Sequence, residues 1–243
     1  MKKLLLSLLL VSVSGAVYAE EAASPHTVSA NVALTSNYVY RGVSQTFDRP
    51  AIQGGFDYSH TSGFYAGTWA SNVSGSEYVD GSMELDLYAG YKKSLNADFA
   101  LDVGVLQYIY PGAGAGIVDY ETTELYAAAT YKMVTLKYSH TLGDFFGAKN
   151  SKGSGYLEAN ATFDLGSDFG LTLHAGHQAV KHGKAYDYSD FKVGVTKAYK
   201  GYTFGAAYST TNADSALYTY TNLGGKSVEV ANGTLIVSVS RSF

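Results

Sequence analysis

Alternation of apolar with polar or small residues at a period of two runs through almost the whole chain. It recurs near 27–41, 49–60, 63–72, 82–92, 98–110, 119–131, 133–142, 154–165, 168–180, 187–198, 200–211 and 230–243. Successive side chains of a strand point to opposite faces, so each segment predicts a strand with one apolar and one polar face. In the first, Val28, Ala30, Val32, Leu34, Tyr38 and Tyr40 share a face against Asn31, Thr35, Asn37 and Arg41. In the fourth, Met83, Leu85, Leu87, Ala89 and Tyr91 oppose Glu84, Asp86, Tyr88 and Lys92. The eighth sets Leu157, Ala159, Ala161, Phe163 and Leu165 against Glu158, Asn160, Thr162 and Asp164. No amphipathic helical period competes over comparable lengths.

The connections alternate in length. Long ones lie near 42–48, 73–81, 111–118, 143–153, 181–186 and 212–229; short ones lie near 61–62, 93–97, 132, 166–167 and 199. A soluble sandwich has no reason to alternate in this way, whereas a membrane barrel has short periplasmic turns and longer external loops. The expectation is an all-β, transmembrane, antiparallel up-and-down barrel of twelve strands over residues 27–243. An aromatic girdle should then sit on the outward face near the short turns. Tyr58, Phe64, Tyr91, Phe99, Tyr131, Phe163, Phe169, Tyr199, Tyr202 and Phe243 meet both conditions. The abundance of Tyr and Gly, 22 and 27 residues, fits strands and tight turns.

The first residues, MKKLLLSLLLVSVSGAVYAEE, have a basic start, a short apolar run and small residues at Val17 and Ala19. This is the pattern of a secretory signal peptide cut after Ala19, followed by a short tail at 20–26. The run is too short for a spanning helix, and the chain has no other long apolar stretch, so entry into a membrane requires a barrel. Removing residues 1–19 takes away Lys2 and Lys3 and no acid, moving the net charge from −4 to −6. That balance offers no basic footprint for nucleic acid. With no Cys, disulfides, thiolate metal sites and cysteine nucleophiles are excluded together.

Candidate chemistry is sparse. His174 and His177 would share a helical face, but on a strand a separation of three places them on opposite faces, which argues against a joint metal site. PGAGAG at 111–116 lacks the Lys-Ser/Thr and helix start of a phosphate cradle and reads as a flexible external loop. There is no G-x-S-x-G elbow, although a nonlocal Ser-His-acid arrangement stays open. The sequons at Asn72, Asn160 and Asn232 matter only on a eukaryotic secretory route. No motif implies a cofactor or metal.

Parity assigns the lumen charges. Asp57, Glu84, Asp86, Asp102 and Glu124 form one group, and Lys137, His174 and Lys192 another, with Lys92, Glu158, Asp164 and Asp190 breaking the segregation. An acidic wall facing a more basic one would set a transverse field across a water-filled pore; the alternative is ordinary solvated or paired lumen charge. Inward Tyr65, Trp69, Tyr88, Tyr108 and Tyr126 should narrow the lumen. In the first hairpin Asn37, Arg41, Gln53 and Asp57 are expected inside and Val43 to Asp48 in an external loop. Arg41 is read as part of a structural tip able to pair with a lumen acid, and Gly54-Gly55 as a close approach or bulge.

SNYVYRGVSQTFDRPAIQGGFDYSHTSGFYAGTWASNV, with DGSMELDLYAGY and DVGVLQYIYPG, resembles the TorF porin family, also catalogued as the Gcw_chp family of exported conserved hypothetical proteins. The likeness spans roughly residues 30–243 and is most specific in SNY-x-YRG-x-SQ and QGGFDY. It implies an outer-membrane barrel with a pore role and carries no set of functional residues. The closing ANGTLIVSVSRSF, with Leu235, Val237 and Val239 on the face of Phe243, likewise resembles the C-terminal signal read by the barrel assembly machinery. Arg241 departs from the apolar residue expected in that register and can snorkel to headgroups.

The expected function is a narrow, weakly cation-preferring diffusion channel for small hydrophilic solutes in the bacterial outer membrane, with lipid and the assembly machinery as partners. Alternatives are a barrel enzyme acting on lipid or protein, a closed structural barrel, and a surface binder using 212–229.

Overall fold

The computed structural model describes residues 24–243; the expected leader at 1–19 lies outside them. The strands are β1 (His26–Thr35), β2 (Val39–Tyr40), β3 (Val43–Ser44), β4 (Ala51–His60), β5 (Phe64–Asn72), β6 (Met83–Ser94), β7 (Phe99–Ile109) and β8 (Thr122–Tyr131). They continue as β9 (Val134–Thr141), β10 (Gly155–Gly166), β11 (Phe169–Ala179), β12 (Tyr188–Tyr199), β13 (Tyr202–Thr211), β14 (Thr219–Thr221), β15 (Ser227–Glu229) and β16 (Thr234–Ser242). Twelve of them close a barrel in the order β1-β16-β13-β12-β11-β10-β9-β8-β7-β6-β5-β4, each pairing antiparallel with its neighbours. The pairs β2-β3 and β14-β15 are separate two-stranded ribbons.

Closure leaves no open edge, so the strand backbone can be satisfied without water, as a hydrocarbon surround demands. The seam joins the two chain ends: Thr35 pairs with Ser238 and Asn31 with Ser242, and Phe243 exchanges backbone hydrogen bonds with Ala30 at 2.9 and 3.1 Å. The chain is a transmembrane β-barrel, and its outer face is apolar accordingly. Val28, Ile52, Phe56, Val103, Leu125, Leu136, Leu157, Phe191 and Leu235 are all exposed. In water that continuous belt would be costly, at roughly 25 cal/mol per Å² of apolar surface.

The tight end of the barrel is set by residues that tolerate positive φ. Ser167-Asp168 (φ 51° and 61°) and Lys200-Gly201 (φ 50° and 80°) form two-residue reversals of the kind whose twist matches the flanking strands. A register shift between Asp164 and Gly166 is the one irregularity of β10 against β11. Girdle candidates lie at this end: Phe64 pairs with Tyr91, Phe99 with Tyr131 and Tyr199 with Tyr202. Arg241 stays on this rim, its guanidinium 5.1 Å from the ring centres of both Tyr202 and Phe243. Gly54-Gly55 pair in unbroken register without a bulge, and backbone from the neighbouring strand leaves no space for a Cβ at Gly55.

Two expectations fail at the first long connection. The strand expected over 27–41 stops at Thr35, and Val43 to Asp48 are not an external loop. Val43, Ser44, Gln45, Thr46 and Phe47 are all buried, with Thr46 and Phe47 only 2% exposed. Tyr38 and Tyr40, expected on the outer face with Val28, pack against Tyr108, Tyr110 and Tyr78 in the barrel's interior. The segment 36–50 folds into the lumen rather than away from it.

Candidate functional site

The infolded segment is a small folded unit. Tyr40-Arg41-Gly42-Val43 makes the tip, with positive φ at Arg41 (47°) and Gly42 (80°) and β2 paired to β3 on either side. Asn37 organises its base: its Oδ1 accepts from Ser44 Oγ at 2.7 Å and Thr46 Oγ1 at 3.1 Å, while its Nδ2 donates to Asp48 Oδ1 at 2.8 Å. Glycine is needed at 42 because an added Cβ would stand 2.6 Å from Asp190 Cβ on β12.

The tip's side chain crosses to the far wall. Arg41 leaves the junction of β1 and β4 and reaches β8, where Nη1 and Nη2 donate to Glu124 Oε1 and Oε2 at 3.0 and 2.8 Å. Nη1 also donates to Gln178 Oε1 on β11 at 2.9 Å, and the guanidinium lies 4.1 Å from the Tyr156 ring centre on β10. Arg41 is therefore a cross-lumen strut and not part of the wall. A bidentate pair of this kind gives geometric precision as well as energy, and it holds a non-glycine residue at positive φ.

Around the strut the long-loop half of the barrel is filled. Tyr40 and Tyr108 share a hydroxyl hydrogen bond at 2.7 Å, and Tyr38 stands edge-on to Trp69 at 5.3 Å. Glu84 and Asp86 point inward as expected but are 2% and 8% exposed, so they do not face open water. Tyr38 Oη donates to Glu84 Oε1 at 3.2 Å, whereas Glu84 Oε2 and Asp86 Oδ1 have no protein partner among the described residues. The cause is the segment above them, which displaces the lumen water that parity alone would assign.

The short-turn half is more open. Asp57 accepts from Tyr88, and Asp102 accepts from Tyr65 Oη at 2.6 Å while Tyr65 contacts Tyr126. Small residues make room for these rings: a Cβ at Gly67 would lie 2.5 Å from the Tyr88 ring. Lys92 pairs in register with Asp102. On the opposite wall Lys137 lies 3.5 Å from Glu158 and 4.8 Å from the Tyr126 ring centre. From Glu158 a hydrogen-bonded chain runs up into the filled half: Asn160 Nδ2 donates to Glu158 at 2.8 Å, His174 Nδ1 meets Asn160 Oδ1 at 2.7 Å, His174 Nε2 meets Asp190 Oδ1 at 2.8 Å, and buried Tyr156 Oη donates to Asp190 Oδ2 at 2.8 Å. Lys192 sits beside His174 across β11 and β12. His177 points outward to Ser189, away from His174. No group of three His, Cys, Asp or Glu is placed to hold a metal among the described residues.

A family profile described as a bacterial protein of unknown function (Gcw_chp) matches residues 19–243. The chain belongs to the Gcw_chp family. Among solved structures this Gcw_chp chain is similar to the KdgM porin in complex with disordered oligogalacturonate, with a TM-score of 0.55 and 9% identity over 89% of this chain and 98% of that one. It is also similar to the NanC porin, at a TM-score of 0.53 and 10% identity over 89% and 99%. At these identities the likeness establishes a shared barrel fold. No curated protein sequence matches.

Within the Gcw_chp barrel, sequence reading missed the contributions of Asn37, Gln178 and Tyr156 to the closure. Gln178 is fully buried, and its inward parity on β11 next to His174 was the available signal.

Proposed function

We propose that this protein is an outer-membrane, porin-like channel for passive diffusion of small hydrophilic solutes, exported by the leader at 1–19 and inserted by the barrel assembly machinery through the strand ending in Phe243. The observation that carries the reading is a closed barrel with a charged lumen, narrowed at the long-loop end by its own segment 36–50. Charged rings bias which ions enter a pore, and the less buried acids Asp57 of β4 and Asp102 of β7 support a weak cation preference. Glu158 and Asp190 temper the opposing Lys137, His174 and Lys192. A closed structural barrel is the second reading, favoured by the buried Arg41–Glu124 strut.

Single-channel recording in planar bilayers separates them. A channel shows discrete currents, rising in unit size when 36–50 is replaced by a short turn. Silence of both correctly folded proteins rejects the channel.

A further inference from the structure

The connections 36–50, 73–82, 110–121, 142–154, 180–187 and 212–233 together line a half-open cavity of about 300 Å³ above the strut. Its lining is largely aromatic and includes Tyr78, Tyr120, Phe145, Phe146, Tyr186 and Tyr218. The one ionisable acid among them is Glu77, and no Lys, Arg or His lines the cavity among the described residues. The volume is at the small end of ligand sites.

The chemistry of the lining narrows the ligand. Tyr78 and Tyr120 stand at 71° to each other, Phe145 and Phe146 at 80°, and Tyr186 and Tyr218 at 79°. These pairs pack edge to face against each other, with ring centres 5.2, 4.8 and 6.4 Å apart, and Tyr78 also stacks on Tyr110 at 13°, so the cavity is bordered by continuous aromatic surface. Phe146 is held in this arrangement at φ 43°, ahead of Gly147 at φ 81°, a conformation that costs energy for a bulky side chain. Aromatic faces carry negative quadrupole density and attract cations, including quaternary ammonium groups that cannot donate hydrogen bonds. Arg41, beneath Tyr40, is neutralised by its bidentate pairing with Glu124, and Lys149, Lys181 and His182 line an adjoining cavity that shares Ala148, Val180 and Tyr186 with this one.

We propose that the external cavity is a binding site for small organic cations of the quaternary-ammonium class, caged by Tyr78, Tyr120, Phe145, Phe146, Tyr186 and Tyr218 and countered by Glu77. Such a site concentrates one solute class at the entrance of the lumen. Burial pushes the Glu77 carboxyl up to about 8, with the hydrogen bond from the Phe47 N–H opposing and the charge of Asp48 adding to the rise. Tyr78 and Tyr220 also face it. A bound cation favours the ionised carboxylate, so binding releases a proton and tightens as pH rises.

The inference rests on the channel reading and deepens it, but its test needs no current. Choline and its uncharged carbon analogue 3,3-dimethylbutan-1-ol are titrated calorimetrically into the full-length protein in detergent micelles. Choline should bind saturably and at least about tenfold more tightly than the analogue. Its affinity should climb from about pH 6 to about pH 9, and Glu77→Gln should flatten that climb. Tyr120→Leu and Tyr186→Leu should each weaken binding about tenfold, while the corresponding Phe variants retain it. Tyr186 is 42% exposed, so its replacement tests the cage without loading the fold. Equal binding of the analogue, preferential binding of maltotriose, or no choline binding overturns the site. A conducting protein indifferent to choline sinks this inference alone, and a silent protein that binds choline sinks the channel alone.

Discussion

At the scale of single residues, the closure depends on a buried ion pair and on a separate carboxyl whose role differs. Arg41 and Glu124 are both buried, with side chains 6% and 3% exposed. Removing one partner of a buried ion pair costs about 3–5 kcal/mol because the other charge is left uncompensated, whereas replacing both with apolar groups can be nearly neutral. Arg41→Ala should therefore release the segment, raising conductance and exposing 36–50 to protease, and the double variant Arg41→Met/Glu124→Leu should recover much of the closure. Unchanged proteolysis in Arg41→Ala would show that the strut is dispensable. Glu77 should make docking pH-sensitive, because burial outside the membrane-spanning strands raises its proton affinity against the opposing hydrogen bond that its carboxyl accepts from the Phe47 N–H at 2.7 Å. The docked state holds this proton up to about pH 8, but a released carboxyl gives it up near its ordinary value of about 4.3. Docking is thus fully favoured below the lower value and loses that favour as pH rises through the upper one. Open probability should increase between about pH 5 and about pH 9, and Glu77→Gln should abolish the increase. An identical profile in the variant would assign the titration elsewhere.

At the scale of elements, the first hairpin is longer than its geometry requires. Thr35 and Ala51 are direct register partners, and a hairpin joining such partners needs only about two to five residues. Residues 36–50 are therefore surplus to the barrel, and their folded base around Asn37 shows where the surplus goes. Replacing them with a short Asn-Gly turn should leave a folded, heat-modifiable barrel whose unit conductance is several-fold larger; loss of the folded form would mean that the segment is needed for assembly. The same segment explains the limit of what was legible in the sequence. Barrel strands such as β6 and β10 announce themselves because one face meets lipid and the other the lumen, which enforces strict alternation. Tyr38 and β2 with Tyr40 keep that alternation even though they have left the wall, because any extended ribbon packed on two sides alternates too. Parity gave Glu84, Asp86, Glu124 and His174 their direction, but it carries no information about depth or about what covers them. The partner of Arg41 lies 83 positions away, beyond the reach of any local pattern.

At the scale of the whole molecule, the charge pattern divides by depth as well as by wall. Glu84, Asp86 and Glu124 lie in the filled half, whereas Asp57 and Asp102 lie in the open half and bond to Tyr88 and Tyr65. An ion entering from the short-turn side first meets the second set. Screening confines each charge to about 10 Å at 0.1 M salt, so depth decides which acids an ion can sense. While the segment is docked, neutralising Glu84 and Asp86 should hardly move the reversal potential, but Asp57→Asn/Asp102→Asn should shift it toward anions. With 36–50 replaced by the short turn, the first pair becomes lumen-exposed, and Glu84→Gln/Asp86→Asn should then add a shift of the same sign. Both shifts should shrink at high salt, as expected for charges acting through water. Reversal potentials in a potassium chloride gradient, measured for the docked and short-turn backgrounds, check the set. An effect of Glu84 and Asp86 that is equally large in both backgrounds would mean that permeating ions sense them with the segment docked, and that the segment narrows the pore without covering these two acids.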